Sequence, residues 1–385
     1  MGVLANRQGT QQQRNIQEPC GKRWLAGKWQ LGGPLGPVAL RKGGPRLVAR
    51  TAADFRGSRM GRIMHLAVSL DIASATGQTS LTFAEIDGFV RKAEAAGVDM
   101  VVISDSGPNG EPSTSPFEAT TLIAALATAT EKIGLVASAS TLAHQPYTLA
   151  RRFASLDIIS HGRTGWNVTT AQNPREAANF SRPEGFSDDD FRRRAREFIN
   201  IVRLLWISWE HDALLFDKAS GRFHDPDKMH LANFTGEFFS VRGPLNVARS
   251  PQDRPLLVMS GLAETEFDFA SRRADLVLLD KREPSDARAA CDEIKRRAYD
   301  AGRDPMTIRV LTVADARPER DGGILEALCR SSGCDGIVLA VQPRAAALED
   351  FVERLLPELK RHGFAETQPG KTLRDRLGLG EDGRP

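Results

Sequence analysis

From Met64 onward, short runs rich in apolar and β-branched residues alternate with longer helical patterns, and the alternation recurs eight times. The strand candidates are His65 to Asp71, Met100 to Ser104, Ile133 to Ser140, Arg163 to Thr170, Pro255 to Gly261, Leu276 to Asp280, Ile308 to Asp315 and Asp335 to Val341. Between and after them, helical patterns cover Phe83 to Ala96, Phe117 to Thr130, Pro146 to Ile159, Asp188 to Trp206, Glu264 to Arg272, Pro284 to Ala301, Gly323 to Cys329 and Leu348 to His362. Several stop at a glycine just past the last turn, as in AAGVD, DAGRDP and RHGF, where the left-handed residue of a helix end belongs. Runs such as MVVIS, PLLVMS and LVLL are almost wholly apolar, as expected when both faces of a parallel strand are covered. Eight βα units predict an α/β fold that closes into a (β/α)8 TIM barrel. An open doubly wound sheet is the competitor, but its GxGxxG after the first strand is missing; DIASATGQTS stands there.

The chain before Met64 differs in kind. Residues 1–63 carry twelve Lys or Arg against Glu18 and Asp54, whereas the remainder holds 40 basic and 47 acidic residues. With QQQ, GGPLGP and RKGGPR and no apolar periodicity, these residues read as a basic extension outside the domain of residues 64–385. Either the extension is a solvated tail or translation starts at Met64, directly before the first strand. A nucleic-acid arm would need aromatic platforms or a folded motif beside the charge, and neither is present. No stretch approaches the roughly 20 apolar residues of a membrane span. Cys20, Cys291, Cys329 and Cys334 lack metal-ligand spacing, so reduced thiols and a cytoplasmic location are expected.

In a barrel of this kind chemistry sits at the carboxyl ends of the strands. Those ends bring forward Asp71, Asp105, Ser138 to Thr141, Trp166 to Thr170, Gly261 to Glu264 and Asp280. The connection from Ala171 to Arg254 is far longer than an ordinary βα loop of 2 to 6 residues. Its polar part is expected to pack across the barrel mouth, with FTGEFFSV as a hairpin strand. No nucleophile–base set is legible: GxSxG and HExxH are missing, and the glycine-flanked His161 precedes a strand. Asp225, Asp227 and His230 in DPDKMH lack the glycine and closing glutamate of a calcium loop and read as a solvated turn. His144 on the rim is an acid–base or substrate-contact candidate, or a loop cap. Asp105 ends a strand where packing asks for no carboxylate; it contacts a ligand or caps the next turn.

Four stretches, AEAAGVDMVVISD, EKIGLVASAST with PYTLARRFASLD, HGRTGWNVTTAQNPREAANFSR, and CDGIVLAVQPRAAALEDFVERLLPELKRHGFAETQPGKTLRDRLGL, together resemble the nitrilotriacetate, EDTA and dibenzothiophene-sulfone monooxygenases. These belong to the bacterial-luciferase superfamily, and the resemblance covers most of residues 64–380. It implies a luciferase-like barrel and a two-component enzyme in which an NAD(P)H:flavin reductase supplies reduced FMN. With O2 that flavin oxidises a small organic substrate, so the cofactor carries the reactivity and the protein supplies orientation and dryness. A homodimer is expected by the same analogy. No metal and no catalytic side chain are implied.

The family's flavin contacts carry over in part. Its strand-two aspartate matches Asp105, and the hydroxyl residue of its strand-three motif matches Ser138. Its histidine and tyrosine, four apart, fall on Asp188 and Arg192, and its serine after strand five falls on Leu262. Leucine removes a phosphate donor and Asp188 would repel a dianion, whereas Arg192 offers a guanidinium fork. Trp166 and Asn167 are expected beside the isoalloxazine; the alternatives are packing for Trp166 and turn capping for Asn167. The strand-seven to strand-eight connection is shortened to RPERDGGILEALCRSSG, enough for one crossover helix. A deazaflavin-dependent oxidoreductase and a diverged barrel that binds no flavin are the other readings.

Overall fold

In the computed structural model, eight parallel strands close into a barrel: β1 (His65–Asp71), β2 (Met100–Ser104), β3 (Gly134–Ser138), β4 (Thr164–Thr169), β5 (Leu256–Ser260), β6 (Leu276–Leu279), β7 (Arg309–Asp315) and β8 (Gly336–Val341). The structure describes residues 64–74, 80–105, 115–169, 174–180, 184–281, 283–316, 322–364 and 369–380. The basic extension lies outside the described residues. Neighbouring strands pair in sequence order, and β1 pairs with β8 from His65↔Gly336 to Leu70↔Val341. The open-sheet competitor is thereby excluded.

Helices α1 (Phe83–Ala95), α2 (Ala119–Ala129), α3 (Pro146–Ile159), α4 (Pro174–Asn179), α5 (Asp188–Trp206), α6 (Phe267–Arg273), α7 (Pro284–Asp300) and α8 (Gly322–Ser332) surround it. A final helical stretch over residues 345–361 contains one π turn, Phe351–Leu355. The capping box of α1 shows how local sequence fixes an end: Thr82 accepts from the Glu85 N–H while Glu85 accepts from the Thr82 N–H. Of these helices only the short α4 has no counterpart in the sequence patterns. Among the described residues, no helix is long and apolar enough to cross a membrane.

Side chains alternate across each strand. Leu66, Val68, Val101, Ile103, Leu135, Ala137, Trp166, Val168, Leu257 and Met259 belong to the core shared with the helices, whereas Ala67, Met100, Val102, Val136, Leu256, Val258, Leu311 and Val338 form a separate inner cluster. Leu373, Leu377 and Leu379 from the last described segment join that inner cluster and plug the amino end of the barrel. A Cβ at Gly134 would lie 2.6 Å from Leu373 Cδ2 and 2.8 Å from Met100 Cβ, so the plug needs glycine there. With that end filled, a ligand site is left to the carboxyl end.

Three strands begin with the same device. Asp99, Asp275 and Asp335 stand just before β2, β6 and β8, and each accepts the backbone N–H of a residue on the preceding strand, Leu66 (2.9 Å), Leu257 (2.8 Å) and Val310 (2.9 Å) respectively. Asp275 is fully buried and bonded to both Arg374 and Arg254. Burial alone would raise its pKa, but Arg374, Arg254 and Arg203 overcome this and hold the carboxyl far below the usual range.

The long connection after β4 does not cover the mouth as a whole. Its residues 207–209 and 245–254 pack toward the amino ends of β4 and β5, where Arg249 bonds Trp209 O and Gln252 Nε2 bonds Thr164 O. The reason is the direction of α5: it runs down the outside of the barrel and delivers the following residues to the far end. The hairpin of Phe234–Thr235 with Ser240–Val241 returns toward the rim, where Phe238 and Phe239 join Phe180 and Phe186 of the same connection. Between β7 and β8 a single helix, α8, makes the crossover.

Candidate active site

Continuing the inward-facing alternation of the inner cluster brings Ser138 and Asn167 to the floor of the mouth, above Val136 and Val258. The two stand opposite each other in the β3–β4 register, and Asn167 Nδ2 donates to Ser138 Oγ at 2.9 Å. Asn167 is 4% exposed, and among the described residues its Oδ1 has no hydrogen-bond partner. A buried acceptor without a donor costs about 1–3 kcal/mol. The nearby Thr141 Oγ1 is likewise buried and unpartnered.

Trp166 does not join them. Adjacent strand residues face opposite ways, and the indole is wholly buried in the outer layer among Phe153, Phe198 and Trp206, with Nε1 donating to Ala139 O at 2.9 Å. The expectation that both residues lie beside a flavin ring is corrected: Trp166 is a packing residue.

Two adjoining cavities open at this rim. The larger, about 650 Å³, is lined by Asp105, Ser138, Ser140, Thr120, Glu118 and Arg152 among others. The second, about 580 Å³, is walled by Phe180, Phe186, Phe238, Phe239 and Arg194. Ala143, His144 and Phe180 border both. Asp105 Oδ2 accepts the Ala119 N–H at 2.9 Å, which caps the start of α2. Burial raises its pKa, reinforced by Glu118 and opposed by the Ala119 N–H. Asp105 thus caps a turn and lines the cavity at once.

His144 has both ring nitrogens engaged: Nδ1 lies 2.9 Å from Ser140 O and Nε2 3.2 Å from Arg152 Nη1. A carbonyl accepts only and a guanidinium donates only, which fixes the neutral tautomer with hydrogen on Nδ1. This ring is a structural bridge between the rim loop and α3 rather than a poised base. His161 lies at the other end of the barrel, before β4. Asp225 caps a short turn and His230 pairs with Glu210 at 3.0 Å, so the DPDKMH side chains do not converge. Among the described residues no group of three or more His, Cys, Asp or Glu side chains could hold a metal ion.

The positions matched to the family's phosphate contacts are not gathered on these cavities. Asp188, 85% exposed, pairs with Arg192, 39% exposed, at 3.9 Å on the first turns of α5. Leu262 packs against the helix–barrel core and offers no donor.

Two residues that the motif reading passed over shape the second cavity. Arg194 is buried, donates to Thr141 O at 2.8 Å and lies over the rings of Phe239 and Phe186 at 4.7 and 5.4 Å. Its signal was present in the sequence: Arg194 stands three residues after Phe191 and four before Phe198, on the apolar stripe of α5, although it looks like one of three surface arginines. Glu197, one turn on, accepts the N–H groups of Glu237 (3.0 Å), Phe238 (3.1 Å) and Phe239 (2.7 Å). A Cβ at Gly236 would lie 2.4 Å from that carboxylate. The glycine and the acid together carry Phe238 and Phe239 to the cavity.

Comparison with known proteins agrees with this architecture. The sequence profile of the luciferase-like monooxygenase family matches residues 64–318. The chain is similar to N-acetyl-S-(2-succino)cysteine monooxygenase of Bacillus subtilis (strain 168), 39% identical over 62% of this chain and 55% of that one. It is also similar to nitrilotriacetate monooxygenase component A of Aminobacter aminovorans, 45% identical over 51% of this chain and 43% of the other. The chain thus spans about half the length of these curated relatives. The crystal structure of EDTA monooxygenase from Chelativorans sp. BNC1 superposes with a TM-score of 0.70, at 23% identity, over 83% of this chain and 99% of that one, a likeness of fold.

Proposed function

The chain belongs to the luciferase-like monooxygenase family, and we propose that it is the oxygenase of a two-component pair, using reduced FMN and O2 to oxidise a small organic substrate. One observation carries the reading: two adjoining cavities at the carboxyl-end mouth, the larger with Ser138 in its lining and the buried Asn167 bonded behind it, the second walled by Phe180, Phe186, Phe238 and Phe239. An isoalloxazine carries polar ring edges on a flat apolar body, and the mouth offers the Ser138 and Ser140 hydroxyls in one cavity and aromatic walls in the next. The residues present therefore fit the ring, whereas Asp188 and Leu262 do not fit the phosphate as the family's contacts would.

The flavin, when bound, supplies the activation of O2. The chain's own residues do the rest. Ser138 lines the larger cavity and would offer its hydroxyl to the ring, with Asn167 Nδ2 bonded to it from behind. Phe180, Phe186, Phe238 and Phe239 would exclude water from the reacting volume, and Arg194, in the same wall, packs its guanidinium over Phe186 and Phe239. Asp105 stays on the α2 amide, and His144 keeps its proton on Nδ1. Neither is asked to move a proton. Arg192, the one cation among the matched phosphate positions, would supply positive charge for the phosphate only by leaving its pairing with Asp188. A separate NAD(P)H:flavin reductase, a homodimer and a cytoplasmic setting complete the reading.

Anaerobic titration of the full chain with photoreduced FMN tests it directly. Saturable binding in the micromolar range is expected. The opposite outcome, no binding up to high micromolar flavin, favours the reading that Asp188 and Leu262 support, a barrel that has lost the cofactor.

A further inference from the structure

We propose that the aromatic cavity is the substrate pocket, and that it selects a flat, uncharged aromatic body over one that carries carboxylates. The inference rests on the flavin reading above and extends it to the substrate. Of the ten residues that line this cavity, four are Phe180, Phe186, Phe238 and Phe239, and Leu142 and Ala143 add aliphatic wall. Its volume, about 580 Å³, is that of a pocket for a small organic molecule. Among the described residues Arg194 is its one charged group, since His144 makes its bonds to Ser140 O and Arg152 as the neutral tautomer. The adjoining cavity differs in kind: hydroxyls line it, together with Asp105, Glu118 and Arg152. The polar cavity suits the polar edges of a flavin ring, which leaves the apolar one for the molecule to be oxidised.

Both guanidiniums of the mouth are already engaged. Arg194 donates to Thr141 O at 2.8 Å and lies over the rings of Phe239 and Phe186, so its charge is set against a carbonyl and two π faces. Arg152 reaches Thr120 Oγ1 and His144 Nε2, both at 3.2 Å, and stands 4.0 Å from Glu118 Oε1. Over the two cavities together Arg152 and Arg194 are matched by Asp105 and Glu118, so the described lining carries no net charge. A carboxylate entering the aromatic cavity would shed its water without gaining a cation of its own, a loss that apolar walls do not return. An uncharged ring meets the opposite situation. It buries its faces against rings already held in place: Arg193 lies 5.6 Å over Phe238, and Phe198 meets Phe239 edge-on at 5.6 Å. Ring-to-ring contacts then add to the gain from burial.

The test uses two probes that share one ring system and differ in charge, 2-naphthol and 2-naphthoate, with nitrilotriacetate as a tricarboxylate. Dissociation constants on the full chain are read by probe fluorescence, and by calorimetry for nitrilotriacetate, without flavin and with reduced FMN under anaerobic conditions. 2-Naphthol is expected to bind in both cases. 2-Naphthoate should bind at least about tenfold more weakly, and nitrilotriacetate should show no saturation up to about 1 mM. Phe238→Ala should weaken 2-naphthol by about tenfold and Phe238→Leu by less, with circular dichroism melts confirming that each variant folds. Phe180→Ala, on a different element, should weaken it as well. Binding of 2-naphthoate or nitrilotriacetate as tight as that of 2-naphthol overturns the proposal, and so does a 2-naphthol affinity unchanged in the folded variants. Displacement of 2-naphthol by reduced FMN gives the aromatic cavity to the flavin and overturns it too, as does the absence of 2-naphthol binding to a chain that binds reduced FMN. In all of these cases the flavin reading stands. If reduced FMN does not bind, that reading fails, and the substrate assignment with it.

Discussion

Asn167 Nδ2 and Ser138 Oγ are joined at 2.9 Å across the β3–β4 seam. Neither side chain is needed for the apolar core beneath them, so the bond serves the mouth more than the fold. Replacing Ser138 by Ala leaves the amide free to turn. The Ser138→Ala protein should lose about one neutral hydrogen bond, close to 1 kcal/mol, in its affinity for reduced FMN, and less than that in thermal stability. Anaerobic titration beside a thermal melt separates the two; an unchanged flavin affinity would show that the amide needs no such anchor.

Asp157 gives the chain a pH signature away from the mouth. It is buried at the end of α3, accepts from Thr164 N–H and Gln252 Nε2 through Oδ1, and meets the Ser250 hydroxyl with Oδ2. Burial raises its pKa to about 6, against the pull of Ser250, Thr164, Gln252 and Arg374. The unfolded chain ionises this group near 3.8 while the folded chain holds the proton up to about 6. Stability from this group is therefore highest below about pH 4, falls between pH 4 and 6, and stays lowered above, a change of up to about 3 kcal/mol. In Asp157→Asn, the amide oxygen can keep the Oδ1 partners and the NH2 can donate to Ser250. That variant should equal or exceed wild type at pH 7, and the difference between the two should shrink as the pH falls from 6 to 4. Urea unfolding at four pH values reads it; an Asn variant markedly less stable at pH 7 would contradict the assignment.

How much of this was legible in the sequence follows from how each feature is encoded. The strands were legible because each is buried on both faces and bounded by glycine or an acidic turn, so Met100–Ser104 and His65–Asp71 fall where the apolar runs do. The direction of a single side chain was not. Trp166 and Asn167 sit side by side in one motif, but neighbours on a strand point to opposite layers, and only the closed register says which faces in. Arg194 was hidden by Arg192 and Arg193, since three like residues in a row give no clue to the one on the buried face. Glu197 was illegible for a different reason: its partners are backbone amides forty residues on, brought back by a hairpin whose path depends on α5. The same dependence decides which part of the long connection reaches the mouth, the hairpin with Phe238 and Phe239, and which part packs at the amino end.

Glu197 can be tested by motion as well as by binding. Its carboxylate holds three successive amides of the hairpin turn, and Arg193 pairs with Glu237 beside it. Glu197→Ala should free the turn without unfolding the barrel, because the hairpin of Phe234–Thr235 and Ser240–Val241 contributes few strand residues of its own. Amide hydrogen exchange at Glu237, Phe238 and Phe239 should quicken by about tenfold or more, in line with loss of charge-assisted bonds worth roughly 1.5–3 kcal/mol. Glu197→Gln, which keeps an acceptor, should fall between. If exchange at these amides is unchanged while the rest of the chain loosens, Glu197 is a general stabiliser and not the support of the cavity wall.

The phosphate end of the proposed cofactor site yields the sharpest comparison, because FMN and riboflavin differ only there. Leu262 presents no donor, Asp188 pairs with Arg192 outside both cavities, and Arg192 is the one cation of the set. The chain should consequently prefer FMN to riboflavin only weakly, by less than about tenfold, the value of one exposed cation against a phosphate. Arg192→Gln should bring that ratio close to one while riboflavin affinity stays the same. Leu262→Ser with Asp188→His should raise it by tenfold or more, since a hydroxyl donor is gained and a repulsive charge is removed. Parallel titrations with the two reduced flavins measure all three ratios. A strong FMN preference in wild type that survives Arg192→Gln would move the anchor elsewhere on the rim, and Arg194, buried against Phe239, would be the next residue to replace.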